Sequence, residues 1–399
     1  MSRNEEIRAE HDRYVLPTYG RIPIAFESGR GITLTDADGR EYQDFLAGLA
    51  VCSLGHNHPA LVEALQTQAA KLLHTSNLFL IANQSKLARY LVDLSFPGKV
   101  FFCNSGAEAN EAALKLARRY QTTLRNAPDR TGILAFERSF HGRTFASLSV
   151  TGQTRYHEGF APLLPDVHFV PFNDSEAVGT TLDAHPEIGT IIVELIQAEG
   201  GIYPAEKSFI ESLAAEARER DIVLIFDEVQ TGMGRTGTFF AWQQYGVQPD
   251  VMTLAKGLAG GIPIGAIVVQ ERVAAALTPG THASTFGGNP FSTAAAIAVI
   301  KTLLNDQLVE RARARGEFLL KHLAEASPQH VVEVRGRGLL IGIELDGDAA
   351  SIVAAMREKG FLIGTAGTNV LRITPPLIVS ENQCRRLLDA LLPLLESGS

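Results

Sequence analysis

The sequence predicts an α/β protein: a large doubly wound domain on a mainly parallel sheet, with a small α+β domain built from both chain ends. Three observations carry that prediction. Short apolar, β-branched runs recur through the middle of the chain. Helix-period patterns fall between them, and the pattern changes beyond residue 304.

Residues 1–55 read as an irregular arm followed by short strands, and Asp36-Ala37-Asp38-Gly39 between apolar stretches is a hairpin signal. The apolar runs then come at Val100–Cys103, Ile133–Phe136, Ile191–Val193, Ile222–Phe226, Val251–Leu254 and Ala266–Val269. Runs this short and this apolar suit strands covered on both faces, as in a parallel sheet. Between them, Ala109, Ala112, Ala113 and Leu116 recur with helical spacing in 108–120. Phe209, Ile210, Leu213, Ala214 and Ala217 do the same in 207–220. A helix is expected over Pro290–Leu304. Residues 331–345 and 370–374 then read as strands of a smaller sheet. A final helix starts at Ser380, with Gln383 completing a capping box and Leu387, Leu388, Leu391 and Leu392 along one face. The expected division is an arm and part of the small domain in 1–55, the large domain in 56–304 and the rest of the small domain in 305–399.

Composition narrows the class of function. The chain has 399 residues, 45% of them hydrophobic and 20% charged, as in an ordinary globular protein. A net charge of −8 speaks against a nucleic-acid partner. No apolar run is long enough to span a membrane. Cys52, Cys103 and Cys384 are few and scattered, which suits free thiols in a reducing compartment. The charged N-terminus resembles neither a signal nor a transit peptide. A cytoplasmic protein is expected.

Ligands of open α/β sheets bind beyond the carboxyl ends of the strands. Three such ends carry chemistry. Asn104-Ser105-Gly106-Ala107-Glu108 follows the first run and opens a helix. Asp227-Glu228-Val229-Gln230 follows Ile222–Phe226, and Ala255-Lys256-Gly257 follows Val251–Leu254. Alone, the first is a helix cap, the second a solvated strand end and the third a surface lysine. Together, on adjacent strands, they meet the needs of pyridoxal 5′-phosphate. Small residues at a helix N-terminus hold a phosphate. A carboxylate keeps the pyridine nitrogen protonated so that the ring can accept electrons. A lysine amine binds the aldehyde and shuttles a proton.

Two further patterns are set aside. Residues 232–237 match G-x-G-x-x-G, but no strand runs directly into them and no clear helix follows, so a dinucleotide site is not expected. His56 and His58 lie in a Gly/Pro loop without further ligands and read as turn-shaping residues; no metal is expected.

At these residues the chain resembles the class III (ω-amino) aminotransferases, of fold type I. The resemblance covers nearly the whole chain. It includes Leu54–Pro59, Asn104–Leu116, Phe140-His141-Gly142-Arg143-Thr144, Asp227–Gly237, Pro249–Gly257, Ser284–Pro290 and Leu371-Arg372-Ile373. It implies that Lys256 anchors the cofactor and that Asp227 pairs with its ring nitrogen. Gln230 would contact the ring hydroxyl, and Phe140 would stack on one ring face. Gly106 and Ala107, with Ser105, would hold the phosphate, and Glu228 and Val229 would complete the cofactor site. Thr285 would reach the phosphate of a neighbouring subunit, so a homodimer with shared active sites is implied. Arg143 and Ser284 would contact substrate. Arg372 would bind the α-carboxylate of 2-oxoglutarate, with Glu199 masking it when the ω-amine donor is bound. The implied reaction moves the δ-amine of N2-acetyl-L-ornithine to 2-oxoglutarate in a ping-pong cycle. Succinylornithine, ornithine and 4-aminobutyrate are alternative donors that the same motifs would serve. A non-catalytic protein of this fold is opposed by the intact Asp227, Gln230 and Lys256. Leu195, Ala198 and Cys52 stand where Pro, Gly and Asn are usual, and none of them is a cofactor position.

Overall fold

A computed structural model describes residues 1–397. Its centre is a seven-stranded sheet. In chain order the strands are β1 (Gly98–Cys103), β2 (Gly132–Phe136), β3 (Val167–Val170), β4 (Ile188–Glu194), β5 (Val223–Asp227), β6 (Val251–Leu254) and β7 (Gly265–Gln270). Side by side they run β1-β7-β6-β5-β4-β2-β3. All six anticipated runs are strands. β3 is the addition: in Val167-His168-Phe169-Val170 a histidine interrupts the apolar run that marks the other strands.

One strand departs from the parallel expectation. β7 pairs antiparallel with both β6 and β1. The reason is length: only residues 255–264 link β6 to β7, too short a segment for the crossover that parallel pairing needs. As a result the end of β1 is not beside the end of β6, because β7 lies between them. The three strand ends converge without all being adjacent.

Alternate residues of the strands feed two cores. Ile133, Ile192, Val223, Ile225, Val251 and Ile267 face α1 (Gly106–Arg119), meeting Ala109, Ala112, Ala113 and Leu116. Leu134, Phe136, Ile191, Val193, Leu224 and Phe226 face α2 (Lys207–Glu219), meeting Phe209, Ile210, Leu213 and Ala217. Both helices are amphipathic with the periods read from sequence, and burial of these stripes holds the sheet between two helical layers.

The third core joins the chain ends to the sheet. α3 (Pro290–Asn305) leads into α4 (Leu308–Ala326) through Gln307, which has a left-handed φ of 51°. Next come β8 (Val331–Arg337) and β9 (Leu340–Leu345), and β9 pairs antiparallel with β10 (Val370–Ile373). Near the N-terminus, Thr33–Asp36 and Glu41–Asp44 form the anticipated hairpin, and Glu41–Asp44 pairs in parallel with Phe361–Leu362. α5 (Glu381–Ser397) begins with the expected capping box. The backbone N–H of Ser380 donates to Gln383 Oε1 at 2.9 Å, and that of Gln383 donates to Ser380 Oγ at 3.2 Å.

Candidate active site

A cavity of about 440 Å³ opens at the carboxyl ends of β1, β4, β5 and β6. This is within the size range of small-molecule sites. Ser105, Gly106, Ala107, Phe140, Arg143, Asp227, Val229, Gln230 and Lys256 all line it, so most of the residues singled out from sequence meet in one place.

Its anion end is the start of α1. Ser105 caps the helix, its Oγ accepting from the Glu108 N–H at 3.2 Å. Gly106 and Ala107 occupy the first turn, where N–H groups have no partner within the helix and the dipole favours negative charge. Residue 106 must be small: a Cβ there would lie 2.7 Å from Val229 Cγ1.

Asp227 is 4% exposed at the end of β5 and is held from two sides. Its Oδ2 accepts from Asn110 Nδ2 and from His141 Nδ1, each at 2.8 Å. Its Oδ1 accepts from the Val229 N–H at 3.0 Å and Thr253 Oγ1 at 3.4 Å. Burial alone would raise this carboxyl. The hydrogen bond and electrostatic pull of His141, with the donors from Val229 and Asn110, outweigh burial and keep it below the usual carboxylate range. A carboxylate only accepts, so His141 presents a protonated Nδ1 to it. Sequence reasoning assigned His141 no chemistry and passed over Asn110. A helix residue and a loop residue 31 positions apart carry no local sign that they share one carboxylate.

Glu194, at the end of β4, was also missed. Burial, and then the charge of Asp227, push its carboxyl well above the usual range. Its Oε2 accepts the Phe140 N–H at 2.9 Å, which sets the backbone of the loop carrying Phe140, His141 and Arg143. Two buried carboxyls pushed in opposite directions are an active-site signature.

Lys256 follows β6 with a left-handed φ of 42°, a strained conformation for a residue with a side chain. Burial lowers its pKa, the charge of Glu199 opposes this and that of Arg372 adds to it. An amine that loses its proton more readily is a better nucleophile. Glu199 and Arg372 are ion-paired, with Arg372 only 4% exposed on β10. Burial alone would raise Glu199, but Arg372 and Lys256 hold it below the ordinary range. Glu199 sits in the short hairpin between Ile196–Gln197 and Tyr203–Pro204. Leu195 and Ala198, which depart from the usual residues, are fully buried.

At the mouth, the Arg143 guanidinium lies 3.7 Å from the centre of the Tyr156 ring and 5.6 Å from that of Phe140. It has no ion-pair partner among the described residues and is free to meet a carboxylate. Gln230 Oε1 is buried without a hydrogen-bond partner.

Glu228, Ser284 and Thr285 do not line this cavity. The Glu228 carboxylate turns away from the cavity and accepts from the Ala241 and Trp242 N–H groups, each at 2.8 Å. Alternation along the strand end sends it to the opposite side from Asp227, and its role is structural. Ser284 and Thr285 line a second cavity, with Asn77, Leu78 and Gln84. Ser284 Oγ accepts from Asn104 Nδ2 at 3.2 Å and from the Gly287 N–H at 3.0 Å, so it braces the loop before α1. G-x-G-x-x-G proves to be a packing element: Gly234 and Gly237 have positive φ, and Arg235 is buried with Nη1 donating to the carbonyls of Leu339 and Pro375 at 3.0 and 2.5 Å. His56 is paired to Asp44 at 2.8 Å, in keeping with a turn-shaping role.

The donor set fits pyridoxal phosphate. A helix N-terminus, a carboxylate kept charged by neutralising donors, an unpartnered amide oxygen and a buried lysine surround one cavity.

Known proteins bear this out. The profile of the family Aminotransferase class-III matches residues 14–395. An acetylornithine aminotransferase of Caldanaerobacter subterraneus is 48% identical over 382 residues, covering 95% of this chain and 96% of that protein. One from Methanocaldococcus jannaschii is 45% identical over 386 residues, covering 95% of each. Among solved structures, an ornithine aminotransferase of Toxoplasma gondii with PLP at its active site superposes with a TM-score of 0.95 at 31% identity. It covers 99% of this chain and 94% of that one. A likeness of that extent, in sequence and in backbone, reaches every strand end that shapes the cavity. The chain therefore belongs to the class-III aminotransferases, transaminases that depend on pyridoxal 5′-phosphate.

Proposed function

We propose that the protein transfers the δ-amino group of N2-acetyl-L-ornithine to 2-oxoglutarate, giving N-acetyl-L-glutamate 5-semialdehyde and L-glutamate, a step of arginine biosynthesis. What carries this choice of donor is the match, over nearly the whole chain, to relatives named acetylornithine aminotransferase at 44–48% identity. The Glu199–Arg372 pair supports it, because a site serving both an ω-amine and an α-amino acid must offer its arginine to only one of them.

Bound pyridoxal phosphate supplies an aldehyde and an electron-accepting ring, on which an amino group is taken up and given back. The chain's residues do the rest. Gly106 and Ala107, with Ser105, hold the phosphate by backbone N–H groups. Asp227, kept charged by His141 and Asn110, pairs with the ring nitrogen. Gln230 contacts the ring hydroxyl, while Phe140 and Val229 cover the ring faces. Lys256 Nζ anchors the cofactor and then moves the proton at the donor's amine-bearing carbon. Arg143 takes the carboxylate far from the reacting carbon through a two-pronged contact. Arg372 takes the α-carboxylate of 2-oxoglutarate or glutamate once Glu199 releases it. Thr285 reaches the phosphate of a second copy, in a homodimer with shared sites. Three unpaired cysteines support a cytoplasmic location. Among the described residues no helix is long and apolar enough to cross a membrane.

The test is glutamate formation from 2-oxoglutarate with N-acetylornithine, N-succinylornithine, ornithine and 4-aminobutyrate. The acetylated donor should have the highest kcat/KM, by about tenfold or more over free ornithine, whose extra charge at the α-amine must be desolvated. A higher kcat/KM for any of the other three overturns the choice of donor.

A further inference from the structure

At the end of the sheet away from the cofactor cavity, His168, His185 and Glu187 bring three metal-ligating atoms within 4.8 Å of one another. They come from three segments. His168 lies on the edge strand β3, His185 closes the helix Ser175–Ala184, and Glu187 stands just before β4. The active-site residue Glu194 ends that same β4, so the cluster lies roughly 20 Å from it at 3.3 Å per residue.

One of the two His–Glu separations already suits a tetrahedral ion. His168 Nε2 is 3.6 Å from a Glu187 oxygen, and His185 Nδ1 is hydrogen-bonded to that same oxygen at 2.9 Å, a contact that an ion would replace. Ligands about 2.0–2.2 Å from a tetrahedral zinc are roughly 3.3–3.6 Å apart. The two imidazoles pack closely in a tilted contact, with ring centres 3.9 Å apart and planes at 37°. That arrangement is unfavourable for two charged rings and acceptable for two neutral ones. An independent observation concerns His168 Nε2. It is buried yet makes no hydrogen bond, although it points at a carboxylate. Buried polar atoms are nearly always partnered. All three side chains keep some exposure, between 22% and 39%, so the cluster lies near the surface although His168 Nε2 itself is covered.

We propose that His168, His185 and Glu187 form a binding site for a divalent transition metal of the zinc class, with the fourth position left to water. Two imidazoles and one carboxylate favour zinc, nickel or copper over magnesium or calcium, which prefer all-oxygen sets. The ion ties the open edge strand β3 to the helix end and to the start of β4. Its role is to stabilise that edge; it takes no part in transamination. Sequence spacing hides the site, because no two of its ligands lie on one helix face or in one recognised motif.

The test uses cofactor-loaded enzyme, stripped with a chelator and titrated with Co²⁺ as a spectroscopic probe and with Zn²⁺ by calorimetry. One equivalent per chain is expected, with tetrahedral cobalt absorption at wavelengths beyond the cofactor's band and a rise in Tm with Zn²⁺. His185→Ala, and His168→Phe, which keeps the ring packing, should each weaken binding at least 100-fold and abolish the Tm rise. Both should leave transamination near normal, which also reports that they fold. Absence of saturable binding in the parent enzyme overturns the proposal. So does binding that both variants retain.

Discussion

Single side chains near the site do their work through neighbours. Glu199 is the clearest case, because its carboxylate shares both Arg372 and the field of Lys256. Removing it leaves Arg372 uncovered in a buried setting, which suits an α-carboxylate and hinders an ω-amine. Glu199→Ala should therefore slow the half-reaction with N-acetylornithine by about 10-fold or more while sparing or speeding that with glutamate. Stopped-flow absorbance of the cofactor in each half-reaction reads the difference, and equal slowing of both would reduce Glu199 to a structural role. A second residue-scale effect concerns pH. The hydrogen bond to Asp44, helped by Cys52, raises the His56 imidazole from its ordinary 6.5 to about 9. A pKa raised on folding contributes stability that is fully present below pH 6.5 and is lost as pH rises through 9. The Tm advantage of the parent chain over His56→Gln should thus be largest near pH 6, at a few degrees, and shrink steadily toward pH 10. An advantage that does not change with pH would mean that the histidine only packs.

Between elements, close backbone approach explains the glycines that look like a nucleotide motif. Gly316 lies in the middle of α4, where Ala would ordinarily be better by about 1 kcal/mol. Here a Cβ would fall 2.0 Å from the carbonyl oxygen of Gly338. Gly338 in turn lies against the backbone of Arg235, Thr236 and Gly237, so a helix, the β8–β9 turn and the glycine-rich loop stack without side chains between them. Gly316→Ala should destabilise the protein by about 2 kcal/mol or more, reversing the sign expected from helix propensity. Thermal melting checks this, and a stabilised variant would refute the close-packed stack. The antiparallel β7 is a feature of the same scale. The ten residues 255–264 made it readable from connection length, whereas apolar composition alone made it look like one more parallel strand.

At the scale of the whole molecule, Leu72, Leu73, Leu78, Phe79, Leu80 and Phe286 are exposed apolar side chains, and Leu78 lines the same cavity as Ser284 and Thr285; Leu80 is 99% exposed. Exposed apolar side chains there suit the subunit interface of the proposed homodimer, and Leu78 adjoins the residue expected to reach into a second copy. Co-expressing Lys256→Ala chains with Thr285→Ala chains should yield mixed dimers in which one site carries both lesions and the other neither. Activity well above that of either parent, approaching one intact site per mixed dimer, is the expected result. Activity no higher than the parents would place Thr285 outside the neighbouring site.

What the sequence by itself determined is what local chemistry encodes. Apolar runs specify strands, helical periods specify the faces of α1 and α2, and the residues after β1, β5 and β6 announce an anion cradle, a carboxylate and a lysine. Those signals lie within a few residues of each other, so they survive without coordinates. Only the tertiary structure decided which groups hold those residues. His141 and Asn110 reach Asp227 across 86 and 117 positions. Glu228 turns outward beside an inward Asp227, and burial together with the charge of Asp227 pushes the Glu194 carboxyl above the usual range. Charge state and partnership in a buried site depend on which chain segments shield it from water, and that is a property of the folded molecule rather than of any stretch of its sequence.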